Sequence, residues 1–158
     1  MRNVFIFTIL LSFAICANVH AISKCPTYLD PDKNFILFAD LGSQGVGLYV
    51  DKNSLNIIQN DVGGCIISID EVQVPNANLG NTTIVNRFTH YYSYVYHKNV
   101  VMRFVVEEDK WVKVNPYITN PENENFTFDA TIAEIAFFLA FDKKFYATFD
   151  ENFYSILR

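Results

Sequence analysis

Two histidines, His90 and His97, stand in the part of the chain that reads as a folded domain. Imidazole suits acid–base work near neutral pH and metal ligation. The pair lies seven residues apart on a strand-like stretch, a spacing that points them to opposite faces of an undistorted strand. They therefore make no joint metal site, and neither has an acidic partner or a serine at a recognisable spacing for a Ser-His-Asp set. Residues 30–34 (Asp-Pro-Asp-Lys-Asn) begin like a calcium loop. The sixth position is Phe35 rather than glycine and the twelfth is Leu41 rather than glutamate, so a solvated turn is expected. Gly42, Gly45 and Gly47 invite a phosphate-loop reading, but no Lys-Ser/Thr follows and the next residues read as strand; a hairpin turn is expected. Glu107, Glu108 and Asp109 read as a solvated acidic turn. The pattern nominates no catalytic residue, no metal ligand and no cofactor.

Aromatic residues carry more information. Phe88, His90, Tyr92, Tyr94 and Tyr96 alternate along one face of a long strand. Such a face is either core, covered by another element, or a recognition surface, since tyrosines bring large contact area and are enriched in binding hot spots. Tyr92, Tyr94 and Tyr96 are accordingly the candidate binding residues. Cys25 and Cys65 are the cysteines of the domain, and in an oxidising compartment they are expected to pair. That bridge would close a loop of about 40 residues, worth about 4 kcal/mol at most. The close Cys-x-x-Cys spacing of a reactive pair is missing.

These residues must be positioned by the elements around them. Residues 35–40 (FILFAD) and 46–51 (VGLYVD) flank a glycine-rich turn and predict an antiparallel hairpin. Residues 51–54 read as a tight turn into a short strand over 55–59. Residues 65–74 (CIISIDEVQV) form the clearest strand of the first half; its apolar phase shifts between Ile69 and Val72, predicting a bulge near Asp70-Glu71. Strands over 87–97, 100–106 and 111–114 follow. The period then changes. Ile132, Ile135, Ala136 and Leu139 recur at helical spacing, Thr131 with Glu134 makes a capping-box pattern, and Lys143-Lys144 suit a helix C-terminus, so a helix is predicted from Asp129 to Phe141. The tail from Phe145 reads as a closing strand or docked coil. Asn81-Thr82-Thr83 and Asn125-Phe126-Thr127 match the glycosylation acceptor pattern and read as loops.

The first 21 residues have the layout of a secretory signal: Arg2, an apolar run from Val4 to Ala17, and Val19-His20-Ala21 before the expected cleavage. An apolar run of about 14 residues falls short of the ~20 needed to cross a bilayer. The expected mature chain, residues 22–158, is one domain. Removing Arg2 with the leader leaves 11 basic against 17 acidic side chains, a net charge of −6. That charge, without a basic patch, argues against nucleic acid as a partner. No other stretch suits a membrane span.

A strand, a glycine turn, the segment LYVDKNSL (residues 48–55), further antiparallel strands and one late helix together resemble the surface-adhesin protein E family of small bacterial secreted domains. The family signature Tyr-Val-Asp-x-x-Ser is met at Tyr49, Val50, Asp51 and Ser54, and the similarity covers roughly residues 35–146. It implies an antiparallel sheet with a C-terminal helix across one face, and, from the family's namesake, binding of host extracellular proteins. In the family a disulfide ties helix to sheet. This helix has no cysteine, and Cys25 precedes the first strand.

The expected fold class is α+β: a twisted antiparallel sheet of five to seven strands with one C-terminal helix packed on one face. The expected function is non-enzymatic recognition of a protein partner outside the cytoplasm, secreted, periplasmic or at the cell surface, adhesin-like in kind. The alternatives are an envelope structural or assembly protein and a secreted hydrolase. A concave pocket holding His90 or His97 beside a carboxylate would favour the hydrolase; an exposed tyrosine face would favour recognition.

Overall fold

A computed structural model describes residues 24–115, 124–146 and 149–158, with only the backbone of 124–127. The expected signal segment and its expected cleavage site lie outside the described residues.

Six strands form one antiparallel sheet in sequence order: β1 (Phe35–Leu41), β2 (Val46–Asn60), β3 (Gly64–Val74), β4 (Asn86–Val95), β5 (Val100–Val105) and β6 (Lys110–Lys113). Helices α1 (Glu124–Phe141) and α2 (Glu151–Leu157) follow. The α+β class and the helix after the strands are as the sequence predicts. Three of the hairpin connections repeat one device, a single 3-10 turn closed by a left-handed residue: Gly45 (φ 65°), Asn99 (φ 50°) and Asp109 (φ 47°). Glycine, asparagine and aspartate tolerate that conformation best. The glycine-rich segment after β1 is thus a hairpin turn, and residues 30–34 form a turn in which Asp30 accepts from the Asn34 and Phe35 amides (2.8 and 3.1 Å).

The tight turn expected at residues 51–54 is instead an irregularity inside one 15-residue strand, β2. The Tyr-Val-Asp-x-x-Ser residues build it. Asp51 Oδ1 accepts from the Asn53 amide, Ser54 Oγ donates to the Asp51 carbonyl, and the same hydroxyl accepts from the Asp70 amide on β3 (3.0, 2.6 and 2.7 Å). Arg87 on β4 then bridges Asp51 and Asp70 (2.7 and 2.9 Å). The predicted bulge near Asp70-Glu71 is corrected by this arrangement: β3 and β4 pair without a shift from Gly64↔Val95 to Gln73↔Asn86, and the extra residues sit in β2. The apolar phase changes along β3 because both sheet faces are covered. Ile67 and Ile69 pack under α1, whereas Val72 and Val74 pack on the reverse face with Tyr49, Cys25 and Ala77.

Helix α1 begins five residues before the predicted Asp129, so the Asn125-Phe126-Thr127 backbone is helical rather than loop. Asp129 and Thr131 therefore lie inside the helix, and the capping-box pattern does not mark its start. Ile132, Ile135 and Ala136 are buried as predicted. Glu134 is fully buried and reaches forward: both carboxylate oxygens accept from the Phe145 amide (3.0 Å each) and one accepts from the Tyr154 hydroxyl of α2. This clamp fixes the tail: Phe145 and Tyr146 are docked coil, as one of the two expectations had it, while Glu151–Leu157 is a helix capped by Asp150 on the Phe153 amide (2.9 Å) rather than strand or coil.

The two cysteines are corrected as well. Cys65 lies in the core under α1, Cys25 in the cluster on the reverse face, and both are free thiols. The pleat of β3 turns Cys65 toward α1, whereas the segment before β1 lays Cys25 on the reverse face.

Candidate functional site

The tyrosine stripe resolves into core and rim. Tyr92 and Tyr94 are buried beneath α1, at 0% and 5% exposure, so they are not available as recognition residues. Tyr94 meets Phe145 edge-on at 4.6 Å, hydrogen-bonds Asn99 through its hydroxyl at 2.7 Å, and carries the Lys143 ammonium over its ring at 4.1 Å. Tyr96 sits in the turn after β4, 39% exposed, with its hydroxyl on Asn60 at 2.8 Å. His97 lies exposed in that same turn, away from His90. Phe88, at the far end of the stripe, is also exposed. On the reverse face Tyr91, Phe104 and Trp111, with Val106, line an open depression of about 440 Å³, the Phe104 and Trp111 rings 5.3 Å apart.

The second concavity is richer chemically. A cavity of about 410 Å³ opens where the first described turns of α1 cross the sheet. Leu41, Val46 and Leu48 come from β1 and β2, Glu71 and Gln73 from β3, His90 from β4, Arg103 from β5, and Phe128, Asp129 and Ile132 from α1; Gln44 lies exposed at the rim. Strand alternation brings the polar members together. Odd residues of β3 and even residues of β4 face the helix, so Glu71 follows Ile69 and His90 precedes Tyr92 on that face. Where the run of helix-facing core residues ends, an ionisable side chain, Glu71 on β3 and His90 on β4, takes the next position beneath α1.

His90 Nε2 lies 3.0 Å from Glu71 Oε2, and the Gln73 amide donates to Glu71 Oε1 at 3.3 Å. Arg103 Nη1 donates to Asp129, 3.1 Å from Oδ1 and 3.0 Å from Oδ2. Asp129 is 4% exposed, and burial lifts its carboxyl above the ordinary range, opposed by the charges of Arg103 and His90 and reinforced by Glu71. One pleat deeper, the Tyr92 ring stacks on His90 (6.3 Å, 16°). Its hydroxyl is buried with no hydrogen-bond partner among the described residues, and burial, then the nearby Asp129 charge, push its ionisation well up. Among the described residues no group of three or more His, Cys, Asp or Glu side chains is placed to hold a metal ion.

The sequence singled out His90 and missed its partners. Glu71 and Asp129 lie 19 and 39 residues from it in opposite directions, a relation that only the strand register and the helix crossing create. The available signal was the change from apolar to ionisable side chains at helix-facing positions of β3 and β4.

Among the described residues no helix is long and apolar enough to cross a membrane. No family model, no curated protein and no solved structure matches this chain.

Proposed function

We propose that the protein is a non-enzymatic binding domain acting outside the cytoplasm, adhesin-like in kind, and that it receives an exposed segment of a protein partner in the polar cavity rather than on the tyrosine face. The observation that carries this reading is the cavity itself. Four ionisable side chains from four different elements converge in a depression with an apolar wall, a size and composition typical of ligand sites. Their arrangement favours holding over turnover: Arg103 is engaged by Asp129, and the described residues lining the cavity include no serine, threonine, cysteine or lysine to act as nucleophile. The surface-adhesin resemblance supports the same class of function, and the leader-like N-terminus supports its compartment.

Affinity capture from the protein's native extracellular surroundings tests the reading. Gln44→Trp places an indole at the rim of the cavity, and Tyr96→Ala is the control on the remaining exposed tyrosine. Partner recovered by the unaltered domain and by Tyr96→Ala, but lost with Gln44→Trp, is the expected result. Equal recovery by all three, or loss confined to Tyr96→Ala, contradicts it.

One observation favours a second reading, an acid–base hydrolase: the contact of His90 with Glu71 inside a cavity. Turnover of chromogenic esters or glycosides that disappears in His90→Ala would establish it over the binding reading.

A further inference from the structure

We infer that the group received by this cavity is a cation on an apolar stem, a lysine or arginine side chain of the partner flanked by apolar residues. This rests on the cavity being the binding site and specifies what it binds.

Arg103 and Asp129 neutralise one another through the contacts at 3.1 and 3.0 Å. Glu71 is different. It is 9% exposed, and its partners are the His90 ring nitrogen and the Gln73 amide. The described lining holds two carboxylates and one guanidinium; Arg103 serves Asp129, and Glu71 faces an imidazole and an amide beside the opening. An incoming ammonium or guanidinium would give this largely buried carboxylate a permanently charged partner, as Arg103 gives Asp129. An anion would face Glu71 and would have to share Arg103 with Asp129.

The walls fit the stem. Leu41, Val46, Leu48 and Ile132 give aliphatic surface for a methylene chain, and Phe128 contributes an aromatic ring of the kind that attracts cations. At about 410 Å³ the cavity exceeds a single side chain, which leaves space for apolar neighbours of the cationic residue. The net negative charge of the chain, −5 over the full sequence, favours approach of a basic segment at low salt.

The test uses three acetylated, amidated tripeptides, Leu-Lys-Leu, Leu-norleucine-Leu and Leu-Glu-Leu, titrated into the domain and followed by backbone amide shifts. The lysine peptide is expected to move the amides of Gln73, His90 and Phe128 and to bind about tenfold more tightly than its norleucine counterpart. That preference should disappear in Glu71→Gln. Norleucine binding as tightly as lysine in the unaltered domain, or glutamate binding best, overturns the cation and leaves the cavity as the site. Movement of none of these amides by any peptide overturns both. The unaltered domain alone decides between these results, so the conclusion stands independently of how well Glu71→Gln folds.

Discussion

Tyr92 is the residue at which core and recognition surface part company. Its ring is fully buried under α1, and its hydroxyl has no partner among the described residues. Burying a hydroxyl without a hydrogen bond costs free energy that phenylalanine avoids. Tyr92→Phe is therefore expected to fold with unchanged or higher stability, by up to about 1 kcal/mol, whereas Tyr92→Ala should lose about 3–5 kcal/mol through the cavity it leaves. Urea midpoints of the two variants check this. Loss of stability in Tyr92→Phe would mean that the hydroxyl is bonded after all.

Between elements, the decisive group is Glu134, which joins α1 to the Phe145 amide and to Tyr154 of α2. Burial raises its carboxyl above the ordinary 4.5, against the bonds from Tyr154, Phe145 and Tyr146. A carboxyl whose folded value is raised holds its proton more tightly in the folded state. Its stabilising share is complete below the unfolded value and is lost as pH rises through the folded value. Asp129 acts in the same direction from 3.8. Glu134→Gln removes one of these shares, so its stability should fall less steeply with rising pH above about 4.5 than that of the parent. Denaturant unfolding of both proteins at a series of pH values measures the difference; parallel curves would contradict it. The periodicity of residues 131–139 disclosed this helix but not its first turns, nor the partners of Glu134. Helical spacing reports which side of an element is apolar. It does not report what a buried carboxylate will meet from a segment beyond the next loop.

For the whole molecule, the sheet divides the protein into two buried layers, and this explains what the sequence could and could not disclose. Antiparallel order and the helix on one face followed from alternation and turn residues such as Asn99 and Asp109, and the six strands fall within the expected five to seven, although residues 46–51 and 55–59 read as two strands where β2 is one. The phase change in β3 was visible too, but periodicity shows that a side chain is buried without showing what covers it. A bulge was inferred where a second layer exists. The same limit hid the thiols: Cys25 and Cys65 are on opposite faces, and burial, with Asp40 adding to it, pushes the Cys25 thiol up to about 11. Both should resist Ellman's reagent in the folded domain at neutral pH, since the thiolate is the reactive form. Unfolding without reductant should release two reactive thiols; release of none would show a Cys25–Cys65 bridge. The cavity residues were the least legible, because Glu71, His90, Arg103 and Asp129 meet only through register and helix crossing.

Everything functional proposed for this protein turns on which concavity receives a ligand. Screening a small-fragment library against the isotope-labelled domain and mapping the hits by amide shifts addresses that directly. Hits are expected to gather around Gln73, His90, Arg103 and Phe128. A set of hits that gathers instead around Tyr91, Phe104 and Trp111, leaving those four amides unmoved, would contradict the account.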